Sequence, residues 1–530
     1  MSDTSKKQTF LHGTALLAMA TAVVKIIGAL YKIPLNAIIG EQGFGYFNTA
    51  YEIYNVLLMI STAGLPVAMS RMISQASSLG NYRQVRKIFN VSRVIFLTLG
   101  LISATLMTGF CKQLAAFQEQ PDAWAAIGFL GPSAFLICLM STYRGFFQGQ
   151  SNMKPTSLSQ VLEAVVKLIV GIAAALLLLT YTKSIPLAAG GAILGVTVSC
   201  LVSSFYLHRC FRRAYRDMPM DVGQADSSGS IAKTLLGIAI PITIGSAGLQ
   251  ILTVLETKIY MGRLLEFMPQ AAADVQKGIY NMTQTIFNMP CAFITPITIS
   301  IIPAITAQIT TGDHKAARAT GNSAARVTAL ISMPCAVGLA VLAEPVTALL
   351  GGYRGENLEL ATNLMRILGV CILFNATVLL TNAIMQAHGH VYLPVVNMFV
   401  GGFMKLGAIA ILTKNPHIGI LGTPLGSLLC YLSITVLNLI SVRLVLKHPP
   451  AILKNMFRGF LAAGAMGAVT FGVWVALKSI GITSSIILCG APIALGAVVY
   501  LICAVLFRAI TREDCLLLPK GEKIANMLHL

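Results

Sequence analysis

Residues 157–181 read SLSQVLEAVVKLIVGIAAALLLLTY, an apolar run with only two charges, Glu163 and Lys167. An α-helix needs about 20 apolar residues to cross a bilayer, so the run predicts a transmembrane helix. The whole chain shares this character, since 56% of its 530 residues are hydrophobic and 11% are charged. Soluble domains carry about 25% charged residues. The composition therefore excludes a soluble enzyme, a DNA-binding module and a secreted disulfide scaffold.

Reading the chain for similar runs predicts an all-α polytopic membrane protein with about 14 transmembrane helices. Lys and Arg concentrate on alternate loops by about three to one, as the positive-inside rule requires. The net charge of +19 is then explained by basic loops facing anionic lipid, with no nucleic acid partner. We expect a multi-pass plasma-membrane protein with both termini in the cytoplasm. The predicted spans are 11–39, 44–69, 89–111, 122–147, 157–181, 186–207, 231–257, 276–305, 322–350, 358–386, 391–413, 418–445, 455–479 and 484–510.

Two sequence landmarks recur in the same order, which indicates an internal duplication. The first pair is Gly80-Asn-Tyr-Arg83 and Gly312-Asp-His-Lys315. In the second pair, Gln148 precedes Glu163-Ala-Val-Val-Lys167, and Gln386 precedes Gly401-Gly-Phe-Met-Lys405. A six-helix unit used twice would give two lobes related by an axis along the membrane normal, with a substrate site between them. The predicted domains are residues 1–229 (helices 1–6), 230–448 (helices 7–12) and 449–530 (helices 13 and 14 with a cytoplasmic tail).

The sequence contains no motif for covalent or nucleotide chemistry. It has no G-K-[ST] phosphate loop, no H-E-x-x-H and no G-x-S-x-G. The 11 Cys are scattered through apolar runs and form no C-x-x-C pair, which is typical of small buried residues. We therefore expect no enzyme activity, no cofactor, no metal and no nucleotide partner.

Several charges fall inside the predicted spans. A charge facing lipid near the bilayer centre costs roughly 2.5–3.5 kcal/mol, so most of them must pair, face a watery cavity or reach an interface. Cations exceed anions by two, which favours an anionic ligand; lysines bind phosphate as point charges. The cations are Lys25, Lys32, Lys167, Arg366 and Lys405, and the carboxylates are Glu52, Glu163 and Glu256.

The cations Lys25, Lys405 and Lys167 are the predicted substrate-binding residues. Lys25 lies midway along the first helix, too deep to reach an interface easily. Glu163 and Lys167 have the i,i+4 spacing of a salt bridge, so an internal pair competes with ligand binding. Lys405 has Gly401 where a counterpart of Glu163 would stand, so it lacks that local partner.

Three further charged residues could couple transport to an ion or contact a sugar: Glu163, Glu52 and Lys32. Lys32 lies two turns nearer the outside than Lys25 and could reach the interface. Glu52 lies among Tyr46, Phe47, Tyr51 and Tyr54, where an aromatic belt at the membrane surface competes with a sugar-binding role.

Prolines inside the spans mark where helices bend. Pro34, Pro241 and Pro290 are the predicted hinges of an access cycle, and static kinks that help packing are the alternative.

Several motifs resemble the polysaccharide-flippase branch of the multidrug/oligosaccharidyl-lipid/polysaccharide exporter superfamily. Within that branch the sequence is most similar to the Gram-positive lipid II flippase (MurJ) and stage V sporulation protein B type. The motifs are Thr9-Phe-Leu-His-Gly13, Lys25-Ile-Ile-Gly28, Gly64-Leu-Pro-Val-Ala-Met-Ser70 and Arg144-Gly-Phe-Phe-Gln-Gly149.

The resemblance implies two six-helix lobes in a V, with two extra helices that form a groove for a lipid tail. It also implies a cationic cavity in which a first-helix base falls on Lys25. The second basic position of the family's first helix falls on Tyr31, with Lys32 adjacent. The acid–base pair ahead of the family's eighth-helix proline falls on Gln284 and Thr285, so the family's cationic triad does not transfer.

The function that these observations predict is translocation of an undecaprenyl-pyrophosphate-linked cell-wall precursor by alternating access. Membrane potential or a monovalent cation could drive it. The alternative is a cation-coupled exporter of drugs or metabolites, for which Glu163 would be the coupling carboxylate. A non-transporting scaffold for cell-wall synthesis is a third hypothesis.

Overall fold

The computed structural model describes the backbone of residues 3–62, 64–219, 223–482, 484–507 and 509. The side chains outside the described residues are 1–19, 21, 22, 25, 26, 29, 60–63, 220–222, 241, 245, 249, 296, 297, 299, 300, 303, 483, 508 and 510–530.

The described residues form α-helices joined by short turns and contain no β-strand. Eleven of the helices have the length and apolar composition needed to cross a membrane, which confirms the all-α membrane class; the number 14 stays a prediction. The helices are α1 (Asp3–Thr62), α2 (Leu65–Ser78), α3 (Tyr82–Gly109), α4 (Cys111–Phe117), α5 (Trp124–Gly149), α6 (Lys154–Thr182), α7 (Ile185–Arg216), α8 (Ser228–Leu264), α9 (Gln270–Thr310), α10 (His314–Val341), α11 (Ala343–Gly351), α12 (Gly355–Ala387), α13 (Tyr392–Leu412), α14 (Gly422–Val445), α15 (Ile452–Ser479) and α16 (Ser485–Leu506).

Helix α1 covers most of the first two predicted spans and is broken at Gly40. The backbone there has φ 69° and ψ 177°, a conformation that is essentially restricted to glycine. Pro34 lies inside the helix six residues earlier. The break therefore separates the two predicted spans, and the hinge role of Pro34 stays a prediction.

The chain divides into two compact units, Met1–Gly278 and Ile279–Leu530. In the first unit, α6 and α7 approach so closely that a Cβ on Gly195 would lie 2.4 Å from Cα of Gly171. Helix α3 meets α5 in the same way, where a Cβ on Gly100 would lie 2.8 Å from Cβ of Cys138. Small residues at such crossings allow backbones to pack without a hydrophobic driving force between helices in lipid.

The second unit packs around an apolar core between the end of α9 and helices α10, α12 and α15. Ile305, Ala325, Leu380 and Ala462 are fully buried there. The predicted domain boundaries at residues 229 and 448 stay predictions, because compact packing does not measure descent from a duplication.

The two copies of the first sequence landmark have the same local structure. Gly80 (φ 68°) and Gly312 (φ 76°) each end a helix in the left-handed region, where glycine avoids the Cβ clash. The next residue caps the following helix in both copies: Asn81 Oδ1 accepts from Gln84 N at 3.0 Å, and Asp313 Oδ1 accepts from Ala316 N at 2.9 Å. This match supports the predicted internal duplication.

The second landmark also repeats in the backbone. Ser151 (φ 59°) follows α5, and Gly389 (φ 84°) follows α12. The amide of the residue after each one bonds five residues back, from Asn152 N to Phe147 O and from His390 N to Met385 O. The offset is 238 residues, the difference between 389 and 151, and it also separates Gln148 from Gln386.

Candidate functional site

The carboxylate of Glu163 pairs with Arg144 of α5. Arg144 Nη2 lies 3.0 Å from Glu163 Oε2, and Arg144 Nε donates to Ser159 Oγ at 3.1 Å. The two charged side chains are 17% and 24% exposed. The sequence offered Lys167 as the partner of Glu163, whereas the structure places an arginine from the neighbouring helix in that role.

Lys167 faces α1 across the α1–α6 contact. Its Nζ lies 5.9 Å from the ring centroid of Tyr31, a favourable geometry for a cation over an aromatic face. Among the side chains that the structure describes, none supplies a carboxylate within ion-pair distance of Lys167. Tyr31 itself is a core residue, 1% exposed, and its hydroxyl donates to Ala192 O at 3.1 Å.

Lys32 lies one residue further along α1 and is half-buried. Its Nζ donates to Asn48 Oδ1 at 3.3 Å and lies 6.0 Å from the ring centroid of Phe44. The charges of Lys167 and Glu52 both act on Lys32, the first repelling it and the second attracting it. The structure thus brings Lys32, Lys167 and Glu52 into one electrostatic neighbourhood in the first unit.

Glu52 pairs with Lys277, at the start of α9. Lys277 Nζ lies 3.6 Å from Glu52 Oε2 and donates to Thr49 Oγ1 at 2.6 Å. The rings around Glu52 point inward, since Tyr46, Phe47 and Tyr54 are between 1% and 3% exposed. A belt at the lipid surface therefore does not describe these three rings.

A polar network continues from Lys277 to the loop after α4. Asp274 accepts hydrogen bonds from Gln120 at 2.9 Å, from Gln270 at 2.9 Å and from Tyr46 at 3.0 Å. Gln120 also bonds Thr49. Sequence reasoning missed this network because it counted Lys277 as a loop residue. The spacing of Asp274 and Lys277 on one helix turn was the only local signal.

Lys405 lies half-buried on α13 in the second unit. Its charge acts on Cys371 of α12 and Tyr431 of α14, so it faces the interior between these helices. A Cβ on Gly401 would lie 2.4 Å from Ile434 Cγ1, so close packing of α13 against α14 explains the glycine.

An amide network lies one turn before Lys405, where the first unit has its ion pair. Asn438 Nδ2 donates to Asn382 Oδ1 at 2.8 Å and to Thr381 Oγ1 at 2.9 Å. Asn397 Nδ2 donates to Asn438 Oδ1 at 2.8 Å and to Ser441 Oγ at 3.2 Å. The contacts join α12, α13 and α14 without any formal charge.

Two predicted site residues, Lys25 and Pro241, have side chains outside the described residues, and their roles stay predictions. Pro290 is described and lines an apolar cavity of about 750 Å³ in the second unit. Helices α9, α10, α11, α15 and α16 enclose this cavity, whose walls include Pro334, Leu339, Met466 and Ile493.

The chain matches two protein families. The family described as polysaccharide biosynthesis protein matches residues 10–308, and the MatE family matches residues 276–407. Stage V sporulation protein B of Bacillus subtilis (strain 168) is 26% identical over 97% of this chain and 98% of its own length. The lipid II flippase MurJ of the same organism is 25% identical over 75% of this chain and 76% of its own length.

Solved structures show the same fold. A lipid II flippase MurJ in an inward closed conformation superposes with a TM-score of 0.70 at 15% identity, covering 93% of this chain and 98% of that chain. An inward-facing multidrug resistance MATE family transporter of the MOP superfamily gives a TM-score of 0.63 at 14% identity, covering 88% and 96%. With more than half of its length matched, this multi-pass membrane protein belongs to the polysaccharide biosynthesis protein family of the multidrug/oligosaccharidyl-lipid/polysaccharide superfamily.

Proposed function

We propose that the chain moves an undecaprenyl-pyrophosphate-linked cell-wall precursor from the inner to the outer leaflet of the plasma membrane by alternating access. The observation that carries the proposal is Lys167. Arg144 takes Glu163, which leaves Lys167 without a carboxylate partner among the described side chains and close to the charge of Lys32.

Two ammonium groups near each other in an apolar protein interior repel, and an anion that binds both relieves the repulsion. The doubly charged pyrophosphate of a polyprenyl lipid has the chemistry for this, because lysines bind phosphate oxygens as point charges. Lys25 and Lys405 complete the proposed cationic path from their positions in the sequence, and Glu52 is placed to meet a sugar hydroxyl.

The apolar cavity of the second unit suits the hydrocarbon part of such a substrate. Its volume of about 750 Å³ is within the range of roughly 300–1,000 Å³ typical of ligand sites. Its walls on α15 and α16 belong to the two helices that follow the proposed duplication. We propose that a segment of the polyprenyl tail lies there while the head group crosses.

The empty carrier would carry positive charge, so the membrane potential is the proposed driving force. One elementary charge that crosses 100 mV changes the free energy by about 2.3 kcal/mol. No nucleotide, cofactor or metal is part of the proposed cycle, and the proposed topology keeps both termini in the cytoplasm.

Replacement of Lys167 by Met tests the proposal. Outer-leaflet lipid II would be measured in cells depleted of their own lipid II flippase and expressing the variant. Loss of one charge-assisted contact of about 1.5–3 kcal/mol predicts at least about a 10-fold fall in transport. Lys183→Met is the matched control, since Lys183 is an exposed lysine that follows the same helix.

Unchanged lipid II exposure in the Lys167→Met variant would contradict the proposal. If that variant instead lost resistance to drugs, the cation-coupled exporter would be favoured. A transport-dead variant that still supports growth would favour the scaffold hypothesis.

A further inference from the structure

Buried charges of both signs meet where α1, α8 and α9 pack together in the first unit. Lys277 is fully buried, Asp274 is 1% exposed and Glu256 is 5% exposed, while the side chain of Glu52 is 14% exposed. Glu52 and Glu256 both act on Lys277, and Glu256 also repels Glu52. The junction therefore holds three carboxylates around one ammonium group.

This charge balance cannot be kept fully ionised at low energetic cost. Burying an unpaired carboxylate costs several kcal/mol even after relaxation. Lys32, the other cation whose charge reaches Glu52, leaves one carboxylate in excess when it is counted. A buried carboxylate without a counter-charge takes up a proton.

Glu52 is the carboxylate best placed to hold that proton. Asp274 accepts three hydrogen bonds, from Gln120, Gln270 and Tyr46, and such bonds favour the charged form. In contrast, the buried Oε2 of Glu52 has no hydrogen-bond partner among the described residues. A metal cation has no place here, because the ammonium of Lys277 already occupies the centre of the carboxylates.

We propose that Glu52 is a proton-binding site whose protonation releases Lys277, and with it the first turns of α9, from α1. The junction is tight: a Cβ on Gly278 would lie 1.7 Å from Glu41 O, so the two backbones touch. The ammonium of Lys277 holds this contact through Glu52 and Thr49. A neutral Glu52 loses the charge attraction and leaves only the hydrogen bond to Thr49.

The direction of the pH effect follows from this linkage. Protonated Glu52 no longer attracts Lys277, so the released junction binds the proton more tightly than the closed one. Acid therefore shifts the population toward release, and alkali toward the closed junction. The proposal rests on the proposed transport function only for its use, since α9 runs on from Gly278 through most of a bilayer-length helix.

Hydrogen exchange read by mass spectrometry tests the proposal on the full chain in lipid nanodiscs without substrate. The peptides to follow cover residues 117–122 and 270–278, with rates corrected for the intrinsic effect of pH. We expect the wild type to exchange several-fold faster in both segments at acid pH. Glu52→Gln should exchange at the acid rate already at neutral pH and should show no pH dependence.

Glu266→Gln is the control, because Glu266 is a carboxylate of the same α8–α9 hairpin that pairs with Arg263 at the surface. It should match the wild type at both pH values. Corrected wild-type rates that do not change with pH would overturn the proposal without any variant. Wild-type behaviour of a folded Glu52→Gln variant would overturn it as well. Because no lipid substrate is present, these outcomes are independent of a failed flipping assay.

Discussion

The corner formed by α5, α6 and α7 and the corner formed by α12, α13 and α14 solve one packing problem with different chemistry. A shift of 238 residues places Arg144 on Asn382, Ser159 on Asn397 and Ser203 on Ser441. The first corner is held by an ion pair at 3.0 Å, and the second by amide hydrogen bonds at 2.8 Å. Both corners keep a lysine one helix turn beyond, Lys167 and Lys405.

The difference shows what each corner does with its negative charge. In the first, Glu163 is neutralised by an arginine of another helix, so the lysine on its own helix is left for other contacts. In the second, Ile434 fills the space that a side chain at position 401 would need, so no carboxylate stands there. The same cation is preserved by neutralising an acid in one corner and by excluding it in the other.

Loss of Arg144 should break the first corner and give the largest effect. Arg144→Met leaves Glu163 partly buried and unpaired, and we expect the free energy of unfolding to fall by about 3 kcal/mol. Glu163 would then turn to Lys167, with the favourable i,i+4 order, and neutralise it. Thermal unfolding in detergent and the lipid II exposure assay would measure the two effects.

The double variant Arg144→Met with Glu163→Gln makes the first corner uncharged, like the second. It should recover most of the lost stability and of the transport, because Lys167 is again without an acidic neighbour. A double variant as unstable as Arg144→Met alone would show that the arginine acts through packing and not through charge.

A side chain at position 401 should break the second corner by steric conflict. Gly401→Ala brings a Cβ within 2.4 Å of Ile434, and overpacking of this kind costs about 1–3 kcal/mol. Gly407→Ala on the same helix is the control, since no atom lies within 4 Å of its Cβ and alanine favours a helix. Unfolding temperatures that rank the two variants in the opposite order would refute the packing explanation.

The turns that precede α6 and α13 should sharpen the comparison with the smallest effect. Ser151 adopts the left-handed conformation that Gly389 adopts in the other copy. Ser151→Gly removes the Cβ strain but adds freedom to the unfolded chain, so we expect a net gain of about 0.5 kcal/mol. Gly389→Ser should lose a similar amount, and denaturant titration of both variants measures the pair.

The sequence predicted the class of fold because apolar runs of bilayer length leave few alternatives. It also predicted the repeated turns, since Gly followed by Asn or Asp ends one helix and caps the next through contacts within a few residues. The partners of the charged side chains were a different matter. Glu163 had a plausible partner four residues away in Lys167, and the one it uses lies 19 residues earlier in Arg144.

Lys277 shows the same limit more sharply, because its sequence position suggested an exposed loop and the structure buries it completely. Hydrophobic periodicity and turn chemistry are local properties, so the amino-acid sequence by itself determined the helices, the membrane class and the duplicated turns. Which charge meets which depends on how helices distant in sequence pack side by side. Only the tertiary structure could therefore decide that Glu163 is neutralised, that Lys167 is not, and that Glu52 shares a buried ammonium with two other acids.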